Sequence, residues 1–168
     1  MVKGLKVGIT GHQDIDPKIQ PWLSSNFEEL FKSSGINYGI TSLARGADQL
    51  FAEHLHHNNL GYLVVIPCLH YIDTFNSLED QNTYQNLLAT SFAHETLHFD
   101  EPSELAFWAA GKRIVLLADL MVAVWNGLPA KGLGGTSDVV QFALQQGKEV
   151  VHLNTRSLKK TVILPATR

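Results

Sequence analysis

The stretch from Trp125 to Asp138, Trp-Asn-Gly-Leu-Pro-Ala-Lys-Gly-Leu-Gly-Gly-Thr-Ser-Asp, lies between an apolar run, Leu120 to Val124, and a helical pattern, Val139 to Gln146. That order predicts a strand, a glycine-rich loop and the start of a helix, and it restricts the chain to folds built from such units. Gly132, Gly134 and Gly135 lack a Cβ, so they can take positive φ and bring backbone N–H groups close to an anion. Thr136 opens a helix whose first amides have no internal partner, and a phosphate fits such an end. These residues alone are equally consistent with a tight strand-to-helix turn that holds no ligand.

A second loop of the same character is Thr41-Ser-Leu-Ala-Arg-Gly-Ala-Asp48. It follows the strand-like Tyr38 to Ser42 and precedes a helix pattern of Leu50, Phe51, His54 and Leu55. Arg45 beside Gly46 sets a positive fork next to exposed amides, which suits phosphate. Asp48, in the first helical turn, is placed as a cap or as an acceptor for ribose hydroxyls. The first strand, Lys6-Val-Gly-Ile-Thr-Gly-His12, ends in Gly11 and His12. His12 is placed to contact a ligand or to act as a structural hydrogen-bonder. Three strand ends thus carry small residues with polar groups, and in a parallel sheet such ends share the edge where ligands bind.

The rest of the chain keeps the alternation. Leu5 to Thr10 is short and apolar, and Asp16-Pro17 marks a helix start, with Pro21 delaying its regular part. Ile19, Trp22, Leu23, Phe27, Leu30 and Phe31 then build one helix face. Tyr62 to Pro67 is apolar on both faces and belongs in the middle of a sheet. His70 to Thr90 is polar, its first half a possible flap over the ligand edge and its second a helix marked by Tyr84, Leu87 and Leu88. Glu95 to Phe99 alternates as a strand, and Pro102-Ser103 opens a strongly apolar helix. Leu120 to Trp125 and Glu149 to Leu153 are strands, and Thr161 to Pro165 is a terminal edge strand or a tail. The expected class is α/β: a Rossmann-like, mainly parallel sheet with helices on both faces, as a single domain over residues 1–168.

Hydrophobic residues make up 45% of the chain, enough for one core of ordinary size. Lys and Arg number 13 against 16 Asp and Glu, without a basic run, which speaks against nucleic acid as partner. A lone cysteine, Cys68, excludes an internal disulfide, and no stretch reaches the roughly 18 uninterrupted apolar residues of a membrane span. A cytoplasmic protein without membrane contact is expected. His54, His56 and His57 share a predicted helix but have no acid or Cys neighbour at zinc-like spacing, so neither metal nor cofactor is expected. The helix from Ser103 to Leu117 carries more apolar surface than one sheet face covers, which implies a homodimer or a dimer of dimers.

Ser42-Leu-Ala-Arg-Gly-Ala-Asp48, with Ala52 and His54 following, resembles the Ser-x-Ala-Arg-Gly-x-Asp segment of the DNA-processing protein A family. Ala118-Asp-Leu-Met-Val-Ala-Val124 leading to Gly134-Gly-Thr136 is similar to the Lonely Guy phosphoribohydrolases, and Val7 to His12 resembles the first strand and turn of the superfamily that holds both. That superfamily is SLOG, a set of Rossmann-like nucleotide-binding proteins, and the resemblance runs from Lys6 to Leu153. It implies a site for a nucleotide or phosphoribosyl ligand, used as a sensor or binding module. The alternatives it carries are hydrolysis of the N-glycosidic bond of a nucleoside 5'-monophosphate and, third, a DNA-binding relative. Lonely Guy enzymes place a catalytic Glu three residues after the motif Thr, where this chain has Val139 with Asp138 beside it; the place of their Arg holds Ala110, with Lys112 and Arg113 nearby. These departures rank binding above hydrolysis.

Overall fold

The computed structural model describes residues 3–33 and 35–166. In chain order its elements are β1 (Leu5–Gly11), α1 (Gln20–Ser33), β2 (Ile36–Thr41), α2 (Ala47–His57), β3 (Gly61–Ile66), α3 (Leu78–Thr90), β4 (Ala93–Thr96), α4 (Glu104–Leu117), β5 (Leu120–Trp125), α5 (Thr136–Gln145), β6 (Glu149–Asn154) and β7 (Lys159–Ile163). Short 3-10 turns at Pro17–Ile19 and Tyr71–Thr74 lead toward α1 and α3.

The seven strands form one sheet in the order β4-β3-β2-β1-β5-β6-β7, parallel throughout except for β7, which runs antiparallel to β6. From β1 the chain steps outward to β4, then α4 carries it back across the sheet to β5, on the other side of β1. Right-handed crossovers in opposite directions put their helices on opposite faces. Accordingly Phe27 of α1 with Phe51 and Leu55 of α2 covers one face, and Ala110 and Ile114 of α4 with Val140 and Ala143 of α5 covers the other. The central strands are therefore buried on both sides, which is why Met121 to Val124 is an unbroken apolar run.

Local chemistry sets the element ends. The Asp16 carboxylate accepts from Lys18 N at 2.9 Å, Pro17 fills the first turn, and the regular helix begins only at Gln20. Helices α1 and α2 dock through Phe51, whose ring lies 5.4 Å from Phe27 and 5.6 Å from Phe31, both edge-on. Above these rings His54 bridges the two helices, with Nδ1 2.9 Å from Glu28 Oε1 and Nε2 2.9 Å from Ser24 Oγ.

Three expectations are corrected. The fourth strand spans Ala93–Thr96, not Glu95 to Phe99, because its ladder with β3 runs from Leu63 opposite Ala93 to Ile66 opposite Thr96. Beyond it the chain holds the segment after β3, through Leu69 N to Phe99 O at 2.8 Å and His70 N to Asp100 O at 3.0 Å. The segment after His70 is a packed wall and not a flap: Tyr71, Phe75 and Tyr84 are buried and meet edge-on or stacked at 4.8 to 5.4 Å. The C-terminal strand is a true edge strand and starts at Lys159, two residues before the apolar pattern suggested.

The β2–α2 turn is held from below by Asp48. Its Oδ2 accepts from Thr41 Oγ1 and from Ser42 N, both at 3.1 Å, while Thr41 Oγ1 accepts from Leu43 N at 3.0 Å. Ala47 N donates to His12 O at 3.1 Å, and a Cβ at Gly46, where φ is +82°, would lie 2.5 Å from that oxygen. The turn is thereby fixed against the end of β1, and only glycine fits its tightest point. Burial pushes the Asp48 carboxyl up to about 6 from 3.8, partly opposed by its hydrogen bonds. Because the folded value exceeds the unfolded one, Asp48 contributes stability that is fully present below about pH 4 and is lost as pH rises through about 6. Urea denaturation between pH 4 and pH 7 is expected to show this decline, on the order of 3 kcal/mol, and Asp48→Asn is expected to flatten it.

Candidate functional site

At the C-terminal ends of the parallel strands lies a cleft of about 1200 Å³, above the seam between β1 and β5 where the strand order reverses. Loops after β1 and β5 leave this seam toward opposite faces, and the gap between them is the ligand crevice of open α/β sheets. Gly11 and His12 line it from β1, Ser42, Ala44, Arg45 and Asp48 from the β2–α2 turn, and Tyr71, Thr74 and Phe75 from the segment after β3. The opposite wall comes from Ser103, Phe107, Ala110 and Gly111 on α4, from Leu128 to Lys131 and Gly134 to Ser137 after β5, and from Thr155 and Arg156 after β6.

The glycine loop after β5 presents the start of α5 to this cleft. Gly134 has φ of +82°, and a Cβ there would lie 2.9 Å from the Cα of Trp108, so the loop lies directly on the α4 backbone. Asp138 Oδ2 accepts from Gly134 N at 2.9 Å and closes the loop on itself. Gly135 is the N-cap of α5 and no side chain caps the helix, so the leading amides of Thr136 and Ser137 point from an uncapped positive end. Both residues line the cleft.

Across from this end sits Ser42, more than nine-tenths buried yet part of the cleft lining. Its Oγ is the one buried side-chain N or O atom among the described residues without a hydrogen-bond partner. Leaving such a group unpaired costs about 1–3 kcal/mol, so a hydroxyl in this position gains by pairing with water or with a ligand group in the cleft. Arg45 stands at the rim, 42% exposed, with Nε 3.6 Å from Asp80 and Nη2 4.0 Å from Asp14. Those separations are too long for tight pairing, and the guanidinium keeps donors for an anion. Lys131 and Arg156 add exposed positive charge to the same lining.

His12 is used structurally. Its Nε2 accepts from Asn126 N at 3.0 Å, which links the end of β1 to the end of β5 and fixes the neutral tautomer with the proton on Nδ1. Burial lowers its pKa, partly opposed by the Asn126 bond. Trp125 closes the neighbouring strand: its Nε1 donates to Leu128 O at 2.8 Å and its ring lies 4.9 Å from His152.

Of the residues expected to bind ligand, Gly11, His12, Arg45, Asp48, Gly134, Gly135 and Thr136 share the cleft. Gly46, Gly132 and Asp138 do not line it: Gly46 packs under the His12 and Gln13 carbonyls, Gly132 faces Glu104 Oε1, and Asp138 is turned to the Gly134 amide. One Asp48 oxygen is already occupied by Thr41 and Ser42, so its ribose role is limited to the other. Ser42, Phe107, Lys131 and Arg156 were missed as site residues. Arg156 follows β6 on the same sheet edge as the named loops, so the strand-end rule reaches it; the orphaned hydroxyl of Ser42 has no signature in sequence. At the positions that differ from the Lonely Guy pattern, Val139 and Ala110 both line the cleft, while Arg113 is bound to Glu95 by Nε at 2.6 Å and Nη2 at 3.2 Å. Among the described residues no group of three or more His, Cys, Asp or Glu side chains could hold a metal ion, and no helix is long and apolar enough to cross a membrane.

No protein-family model matches the chain, and no curated protein matches it in sequence. Solved structures do. DNA processing protein A from Helicobacter pylori, described by its single-stranded DNA binding mode, superposes with a TM-score of 0.66 at 19% identity over 88% of this chain and 64% of that one. DNA processing protein A from Streptococcus pneumoniae gives 0.67 at 16% identity, over 89% of this chain and 50% of that one. This chain thus spans between half and two-thirds of their lengths. The molybdenum cofactor binding protein from Rippkaea orientalis gives 0.59 at 16% identity, over 92% of this chain and 78% of that one. At these identities the likeness is one of architecture. Its substance is the parallel sheet, the reversal of strand order at β1 and β5 and the helices on both faces: the chain has a SLOG-type, Rossmann-like fold.

Proposed function

We propose that this chain is a binding module for a nucleotide or another phosphoribosyl ligand, held in the cleft over the β1–β5 seam with a phosphate at the start of α5. The observation that carries the proposal is the pairing of an uncapped helix N-terminus with the unpartnered, buried Ser42 hydroxyl in one cleft. A phosphate at the start of α5 accepts from the Thr136 and Ser137 amides, while Ser42 Oγ and Arg45 offer further donors in the lining of the same cleft. Phosphate is also the chemistry shared by the single-stranded DNA and the molybdenum cofactor in the names of the structural neighbours, which supports a phosphate-centred site. The acidic balance of the chain favours a small ligand over a nucleic-acid strand.

Titration calorimetry and thermal shift with mono-, di- and cyclic nucleotides test this. A ligand at a hundred times its dissociation constant is expected to stabilise the fold by about 2.7 kcal/mol. Arg45→Ala is expected to weaken binding by about 1.5–3 kcal/mol, the worth of a charged hydrogen bond. Absence of any response to every nucleotide, or tighter binding to a single-stranded oligonucleotide than to all of them, overturns the proposal.

Hydrolysis of the glycosidic bond is expected to be absent or slight. Asp138 is engaged by the Gly134 amide, Val139 stands where the carboxylate would be needed, and Arg113 is paired away from the cleft. A misplacement of about 1 Å can already cost a hundredfold in rate. Chromatography of adenosine, guanosine, cytidine and uridine monophosphates after incubation with the protein is expected to show no free base; release that disappears in Asp138→Asn would make the enzyme the correct reading.

Assembly into a homodimer or dimer of dimers is part of the same proposal. Leu105 and Leu116 on α4 are 57% and 54% exposed and lie about 20° apart around the helix, so they mark the apolar ends of one outward side, with Ala109 and Lys112 between them. Light scattering is expected to find a dimer at micromolar concentration, and a monomer there removes this part of the reading.

A further inference from the structure

Phe107 is a large aromatic side chain left 37% exposed while lining the cleft. Around α4, Phe107, Gly111 and Ile114 fall within roughly 60° of one another, and all three line the cleft. The exposed Leu105 and Leu116 lie about 180° from Phe107, so the side they mark is a different surface. The Phe107 ring is backed by aromatic neighbours: it meets Tyr71 edge-on at 6.4 Å, and Tyr71 is held by Phe75 and Tyr84, each at 5.4 Å. Tyr71 itself is buried and offers no free face. A ring supported in this way is preorganised, so little side-chain entropy is lost when something stacks on it. The phosphate end of the cleft is adjacent, since Gly134 packs directly on the backbone of Trp108, the next residue along α4.

We infer that Phe107 is the stacking platform for a planar nitrogen heterocycle attached to the phosphoribosyl group, so that the ligand is a base-bearing nucleotide and not a sugar phosphate alone. This rests on the proposed phosphate site and names the ligand's other end. Stacking on an aromatic side chain tolerates any base, because every base has a π face, and it strengthens with ring area. Purine nucleotides therefore bind more tightly than pyrimidine nucleotides, and ribose 5-phosphate binds without help from Phe107.

The experiment is titration calorimetry of the full chain and its variants with adenosine, guanosine, cytidine and uridine monophosphates and with ribose 5-phosphate. Phe107→Ala is expected to weaken the nucleotides by about 5- to 150-fold, most for the purines, and to leave ribose 5-phosphate unchanged. Phe107→Tyr is expected to bind as the parent, and Phe107→Leu, apolar but without a π face, to lose most of what Phe107→Ala loses. Unchanged ribose 5-phosphate binding also shows that the variants keep the phosphate site folded. If Phe107→Ala alters nothing, if it weakens ribose 5-phosphate equally, or if Phe107→Leu binds as the parent, the stacking role is overturned while the phosphate site stands. If neither ribose 5-phosphate nor any nucleotide binds the parent protein, the phosphate site fails and the platform falls with it.

Discussion

The seam between β1 and β5 is the constraint on which the rest of the site depends. Two parallel strands with successors on opposite faces must leave a gap above their ends, and a gap between diverging loops is stable only if those loops are fixed independently. His12 joins the strands across the seam through Asn126 N, while its own carbonyl receives the Ala47 amide and so fixes α2. One residue at the end of β1 thus ties down both the β2–α2 turn and the start of the loop after β5. The later part of that loop is set by Gly134 packing on Trp108. A histidine here matters less for its proton than for offering a ring acceptor and a backbone acceptor at one point.

Net charge and local field point in different directions in this molecule. The chain is acidic by three formal charges, yet Arg45, Lys131, Arg156 and the positive end of α5 converge on one cleft. Whole-chain charge governs long-range encounter with a polyanion, whereas a buried or half-buried group responds to what lies within a few ångström, where screening is weak. The acidic partners of Arg45, Asp14 and Asp80, keep the guanidinium positioned at the rim without closing on it, at 4.0 and 3.6 Å. In the proposed function, a phosphate in the cleft replaces those long contacts of Arg45 by short ones, while the rest of the surface stays acidic.

Much of the fold was legible because the apolar periodicities changed cleanly between strand and helix, and because Asp16-Pro17 and Ser103 are helix starts with a chemical reason. The fourth strand was misplaced since its residues are largely exposed on a sheet edge, where burial imposes no alternation; only the ladder to β3 fixes its register. The polar segment after His70 misled for the opposite reason. Its two aromatic anchors, Tyr71 and Phe75, are four residues apart within a polar run and form no periodic stripe, yet they bury a wall of the cleft. At the site, the two glycine loops were readable because positive φ and amide exposure need glycine. The direction of each side chain was not: Asp138 and Asp48 both sit in a first helical turn and are turned back to the loop before it, one to the Gly134 amide and the other to Ser42 N and the Thr41 hydroxyl. Spacing places a carboxylate on a helix face without saying which neighbouring amide will capture it.

The lining of the cleft holds two polar groups in settings that oppose them. Ser42 Oγ is buried without a partner, and Asp48 is a carboxyl whose ionisation is opposed by burial. The unpaired hydroxyl lowers the stability of the fold, and burial opposes ionisation of Asp48 even though its Oδ2 holds Thr41 and Ser42. Both stand in the turn that Thr41, Leu43 and Ala47 tie down most tightly, so the surrounding bonds hold them in an unfavourable setting. In the proposed function, a ligand group that pairs with Ser42 gives the hydroxyl its partner, and that pairing adds to affinity. At α5 the N-cap position is taken by Gly135, where a Ser, Thr, Asp or Asn would stabilise the helix by only about a few tenths of a kcal/mol more. The unpartnered Ser42 hydroxyl and the start of α5, which no side chain caps, both line one cleft, and that coincidence is what the proposed phosphate site rests on.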